Sequence, residues 1–138
     1  MKHIWLALAL LAGCTPAPSP VELMFNAATS GQPGTGYRAG TGTATEVDGV
    51  LTLKSSAGGA TLTIEVDAVL QPIMVAIGER HVGIEYTLGA AGWTSNAGSI
   101  SITSVDPYEV IFNNVEMRAA NTIAQGQFNM TGSAIFRK

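Results

Sequence analysis

The densest cluster of titratable side chains in the sequence consists of Glu79, Arg80, His81 and Glu85. On a strand, alternation would place His81 and Glu85 on the same face. An imidazole beside carboxylates can bind a divalent metal ion or act as an acid/base pair. No third protein ligand is evident, so a surface turn with a local ion pair explains the cluster better. We therefore predict no catalytic residue, no metal site and no cofactor, and keep a metal-assisted enzyme centred on His81 as an alternative.

Cys14 is the only cysteine of the chain, and it directly follows Leu11, Ala12 and Gly13. The residues before this run have a basic start at Lys2 and an apolar stretch over 4–11, the pattern of a signal segment. That stretch is far shorter than the roughly 20 residues that a membrane-spanning helix needs. The segment over 1–13 is therefore predicted to be removed.

The run from Leu11 to Cys14 resembles the lipobox of bacterial lipoproteins. The resemblance implies a thioether between the Cys14 thiol and diacylglycerol, cleavage between Gly13 and Cys14, and often a further acyl chain such as palmitate on the new amino terminus. Two or three acyl chains make release from a membrane slow. Thr15, where enteric lipoproteins that stay at the inner membrane have aspartate, implies the outer membrane if the host has one. The expected location is the cell envelope.

Charge and length limit the class of protein further. The 138 residues contain 7 Lys and Arg against 10 Asp and Glu, a formal charge of −3, and loss of Lys2 with the signal segment leaves −4. Phosphate binding needs a basic stripe, and none is present, so nucleic acid is not expected as a partner. The remaining length suits one domain.

A proline-rich tether is predicted between the anchor and the domain. Residues 15–20 alternate proline with small residues, which favours an extended spacer rather than a helix or a sheet. The expected organisation is a signal peptide over 1–13, a lipidated cysteine with its tether over 14–20, and a β-rich domain over 21–138. Residues 31–36 are rich in glycine without the flanking strand, helix and lysine of a phosphate cradle, so a flexible connection is predicted there.

Apolar residues at every second position predict several strands. A first hairpin is predicted around the turn at 55–59, and a second around the turn at 105–107. After the second turn the apolar positions change parity at Asn113-Asn114, which predicts a β-bulge. A last hairpin is predicted around 131–133. No stretch after Pro20 has convincing helical periodicity.

These patterns predict an all-β domain that forms a single antiparallel β-sandwich, with a partly open β-barrel as the alternative. The runs 51–53, 83–89 and 98–104 resemble segments of a broad set of bacterial envelope lipoproteins of unknown function, and the likeness extends from about Gly40 to Phe136. That resemblance implies a small β-sandwich-like domain and carries no catalytic residues.

Four aromatic residues could form a platform for a sugar or a peptide: Tyr37, Tyr86, Trp93 and Tyr108. Most of them are expected to pack in the core or at its rim. Trp93 lies among Gly89, Gly92 and Ser95, so it is expected to be the most exposed. Trp93 and Tyr37 are the candidate binding residues. The predicted function is a non-enzymatic module, attached to the membrane at Cys14, that binds an envelope protein or glycan through edge strands or glycine-rich loops. The alternative is a carrier of a small apolar ligand.

Overall fold

A computed structural model describes residues 20–26 and 33–138 of the chain. Gly13, Cys14, residues 15–19 and the start of the glycine-rich connection lie outside the described residues. The described part forms one 3-10 turn, Glu79–His81, and ten strands: β1 Val21–Asn26, β2 Gly36–Ala39, β3 Gly42–Val47, β4 Val50–Ala57, β5 Ala60–Asp67, β6 Ile73–Ala76, β7 Gly83–Leu88, β8 Ala91–Val105, β9 Tyr108–Ala119 and β10 Gln127–Arg137. None of its helical segments has the length and apolar character that a membrane-spanning helix requires.

Seven of the strands form a closed ring of hydrogen-bonded neighbours, in the order β3, β4, β5, β7, β8, β9 and β10. The ring closes where β10 runs parallel to β3, with Phe136 opposite Gly42 and Arg137 opposite Thr43. The all-β prediction is confirmed. The sandwich is not confirmed, and the closed ring fits the barrel alternative.

Three long strands make this closure feasible. β8, β9 and β10 contain 15, 12 and 11 residues. One edge of β8 pairs with β7 through 91–94 and with β6 through 99–102. One edge of β10 pairs with β1 through 129–134 and with β3 through 136–137. β8 and β10 thus each pair with two shorter strands at different heights, which produces the stagger that a barrel needs.

The first and second predicted hairpins are confirmed. β4 pairs with β5 along its full length. The turn is shorter than predicted, because only Gly58 and Gly59 lie between the two strands. Both glycines have positive φ angles, 59° and 79°, as a tight two-residue turn requires. β8 pairs with β9 around Asp106 and Pro107.

The predicted bulge at Asn113-Asn114 is also confirmed. Asn113 of β9 pairs with Ser99 of β8, and Glu116 pairs with Ala97. Three positions on β9 therefore match two positions on β8, so β9 contains one extra residue. Asn114 has a φ of 52°. The extra residue reverses the alternation, so Phe112 and Val115 both face the core.

The hairpin predicted around 131–133 is wrong. β10 continues through this segment as one strand, because β1 and β9 pair with it on its two edges. Gly132 marks a register shift against β9 and a close approach of β1, and it does not form a turn. The small residues that suggested a turn make room for neighbouring backbone instead.

Aromatic side chains fill the interior of the barrel. Phe25, Tyr37, Tyr86, Trp93 and Phe128 pack against one another, with ring centroids between 4.3 and 6.1 Å apart. All five are at least 94% buried. The domain therefore has a packed apolar core of the kind that dominates folding stability.

Candidate functional site

The β6 edge, defined as the outer edge of strand Ile73–Ala76, is an open strand edge in the described part of the chain. β6 pairs with β8 on one side, and no described strand pairs with its other side. Pro72 precedes the strand and Gly78, with a φ of 93°, follows it, so the strand stays short. Its backbone N–H and C=O groups on the open side are a template for another strand.

Apolar side chains adjoin this edge on the outer surface. Met74 is 70% exposed, and it lies in register with Ser101 of β8, which in turn lies in register with Ile111 of β9. Ile111 is 42% exposed. The small Ser101 lies between these two larger side chains. β6 contains no charged residue, although charges commonly protect natural edge strands from pairing.

β2, the other strand at the end of the sheet, is protected in two ways. Arg38 on β2 forms an exposed ion pair with Glu22 at 2.8 Å. Tyr37 reaches across to β4, where its hydroxyl lies 3.0 Å from Ser55 Oγ in a buried hydrogen bond. β3 pairs only with 50–54 of β4, so this bond spans the gap between β2 and the rest of β4. The β2 edge is therefore a weaker candidate than the β6 edge.

Tyr37 faces the core rather than solvent. It is 6% exposed, and Ser55 is 5% exposed. Burial raises the pKa of Tyr37 above its ordinary value of 10.0, and the hydrogen bond with Ser55 offsets part of that rise. Burial also raises the pKa of Tyr86, and the nearby Tyr37 raises it further. The Tyr37 hydroxyl thus links β2 to β4 across the gap, and neither tyrosine offers a platform at the surface.

The raised pKa values predict a loss of stability at alkaline pH. Well below pH 10.0 both tyrosines are protonated in the folded and unfolded chain, so their contribution is fully present. As the pH rises above that value, the unfolded chain loses phenolic protons first, and the free energy of unfolding falls until the folded tyrosines also ionise. Urea unfolding at a series of pH values should show this decline. The double variant Tyr37→Phe, Tyr86→Phe should show less of it, and an equal decline in that variant would contradict the assignment.

Trp93 was expected to be exposed, and this expectation is wrong. The residue is 1% exposed, and its indole N–H donates to the carbonyl oxygens of Gln125 at 3.3 Å and Gly126 at 3.2 Å. In the β7–β8 pairing Trp93 lies opposite Tyr86, so both side chains point into the barrel. The glycines nearby reflect a tight turn and close packing. Tyr86 and Tyr108 are also buried, so none of the four candidate aromatic residues forms an exposed platform.

His81 and Glu85 do not lie on one strand face as predicted. His81 belongs to the 3-10 turn and Glu85 to β7, so strand alternation does not relate them. His81 Nδ1 lies 2.9 Å from Asp67 Oδ1, with the histidine side chain 91% exposed. Within the described residues no group of three or more His, Cys, Asp or Glu side chains is arranged to hold a metal ion. An exposed pair of this kind contributes little to stability.

The β6 strand was absent from the predicted strands. Its sequence, Ile73 to Ala76, is uniformly apolar and only four residues long. Such a run lacks the alternation that identifies a half-buried strand. The apolar residues directly after Pro72 were the available signal.

Comparisons with known proteins add no relative: no protein-family model matches the chain, and neither a curated protein nor a solved structure matches it.

Proposed function

We propose that this protein is an envelope lipoprotein, anchored to the membrane through Cys14, whose β domain is a non-enzymatic binding module. The run Leu11 to Cys14 supports the anchor, and the tether supports a domain held beyond it. The observation that carries the binding role is the β6 edge, where a strand that includes the exposed Met74 is paired with β8 on one side only among the described residues. Exposed apolar side chains next to free backbone groups are a frequent mark of an interaction site.

The partner is an extended segment of another envelope protein, added as a strand to β6. Backbone groups of the partner would pair with those of Ile73–Ala76, and apolar partner side chains would cover Met74 and Ile111. A glycan has no regular ladder of N–H and C=O groups to offer this edge. The aromatic residues that stack on sugars are buried in this domain. These two points favour a protein over a glycan.

The two other functions considered from the sequence have less support. The aromatic side chains occupy the interior in which an apolar ligand would have to be carried. Among the described residues, Asp67 is the hydrogen-bond partner of the His81 ring. No observation favours the carrier or the His81-centred enzyme over the binding module.

Site-specific photo-crosslinking in the native envelope tests the proposal. A photoreactive residue replaces Met74 in the full lipidated chain, and the same residue replaces Met24 as a matched control. Met24 is also an exposed methionine, at 60%, but it lies on β1, which is paired on both edges. We expect one discrete protein adduct from position 74 and none from position 24.

A second measurement shows whether an adduct reflects strand addition. Binding of the identified partner should slow amide hydrogen exchange in 73–76 and leave exchange in β2 unchanged. Equal adducts from both positions, or an adduct without added protection in β6, would contradict the proposal. A glycan adduct would reject the protein partner while retaining a binding role.

A further inference from the structure

Three exposed aliphatic side chains gather at one end of the barrel. They are Val47, Val50 and Leu70, with exposures of 67%, 41% and 91%, and together we name them the apolar tip. Val47 lies opposite Val50 across the β3–β4 turn. The Ala68 N–H donates to the carbonyl oxygen of Gly49 at 2.9 Å, which ties the segment leading to Leu70 to the same turn. Leu70 follows Ala68 by two residues, so it lies at the same end of the barrel as Val47 and Val50.

The first described residue of the domain lies beside the carboxyl end of β10. Val21 lies opposite Ala134, and the Ile135 N–H donates to the Pro20 carbonyl oxygen, so Pro20 lies one step nearer that end than Val21. β3 begins beside that end, at Gly42 opposite Phe136, and runs in the same direction to Val47. At about 3.3 Å per residue, the apolar tip lies about 17 Å beyond the point where the chain enters the domain.

The tether limits how far the domain can stand from the membrane. Six peptide units separate Cys14 from Pro20, so the anchored cysteine can be at most about 20 Å from Pro20. This reach is close to the distance between that point and the apolar tip. When the chain extends toward the tip, Cys14 and the tip come to the same level. A bilayer that holds the acyl chains then meets the tip.

The residues around the tip suit a phospholipid surface. Beside Leu70 lies an open groove of about 410 Å³ that is also lined by Val69, Ile73 and Arg80. An arginine guanidinium binds phosphate oxygens well, and aliphatic side chains suit the boundary of the acyl region. The exposed Asp48 in the β3–β4 turn restricts the contact to the headgroup level, because an ionised carboxylate is costly to bury.

We infer that the apolar tip rests on the surface of the phospholipid bilayer that holds the lipid anchor, and so orients the domain on the membrane. This inference rests on the proposed anchor at Cys14. Met74 is not among the tip residues, although Ile73 at the start of β6 lines the groove beside Leu70. The occupant of the tip is the bilayer, and no second protein is required.

Fluorescence of the lipidated protein in phosphatidylcholine vesicles tests the inference. In the lipidated chain the Cys14 thiol is consumed, so a cysteine introduced by Leu70→Cys or Val47→Cys is the only thiol for an environment-sensitive dye. Ile123→Cys is the matched control, because Ile123 is a 51% exposed aliphatic residue in the β9–β10 loop at the opposite end. We expect a blue shift and quenching by nitroxide-labelled lipid at positions 70 and 47, and neither effect at 123.

Sedimentation of the same vesicles separates the two ways in which the experiment could fail. Protein that sediments with the vesicles but shows no blue shift at position 70 would overturn the seating while leaving the anchor in place. An equal shift at position 123 would also overturn it. Protein that stays in the supernatant would reject the anchor, and the seating would be rejected with it.

Discussion

Replacement of Phe128 with alanine is expected to lower the free energy of unfolding by about 3–5 kcal/mol. The Phe128 ring is 1% exposed and lies at the centre of the aromatic core. Its centroid is 4.3 Å from that of Phe25 and 6.0 Å from that of Trp93. Loss of the ring removes buried apolar surface and leaves a cavity. The strands of a closed barrel cannot easily move inward to fill it. Small domains have a total stability of only about 5–15 kcal/mol, so the effect is large.

Urea unfolding of a soluble form that lacks residues 1–14 measures this loss. The chain has two tryptophans, and Trp5 is absent from that form. The fluorescence of the remaining Trp93 therefore reports on the same core. Ile111→Ala is the control, since it removes a 42% exposed apolar side chain from the outer surface of β9. It should change the stability by less than about 1 kcal/mol. A similar small change for Phe128→Ala would mean that the aromatic core is loosely packed.

Local alternation explains why part of the fold could be predicted. Leu62, Ile64 and Val66 alternate with polar residues, and each is at most 1% exposed in β5. The glycines at 58 and 59 identify a turn that needs positive φ angles. These signals lie within a few residues of one another, and their meaning does not depend on the rest of the chain. They identify hairpins whatever the arrangement of the sheet.

Closure of the barrel depends on contacts that local pattern does not encode. The decisive pairing joins Gly42 and Phe136, near opposite ends of the domain. Trp93 shows the same limit, because small neighbours suggested exposure while its register with Tyr86 directs it inward. The β6 edge likewise depends on the pairing of β6 with β8, which the local sequence of β6 does not encode. Cys14 is the reverse case, since its predicted role depends on sequence alone and it lies outside the described residues.

The substitution Gly132→Ala is expected to lower the free energy of unfolding by more than about 3 kcal/mol. Gly132 has a φ of 128°, which an alanine adopts only with strain. A Cβ at this position would overlap the carbonyl oxygen of Glu22 and lie 3.0 Å from the Cα of Leu23. Both atoms belong to the backbone of β1, so they can move away only if β1 and β10 separate. That separation would also expose Leu23 and Phe25, which are buried in the core.

Gly89→Ala distinguishes the overlap with β1 from the cost of a positive φ. Gly89 has a φ of 58° in the β7–β8 turn, and a Cβ there would meet no atom within 4 Å. Its substitution should cost only about 1–2 kcal/mol, the penalty for a left-handed alanine. Urea unfolding gives both values, and amide hydrogen exchange at Leu23 should accelerate only in Gly132→Ala. Equal losses in the two variants would show that β1 can shift without harm, and that its contact with β10 contributes little to the stability of the barrel.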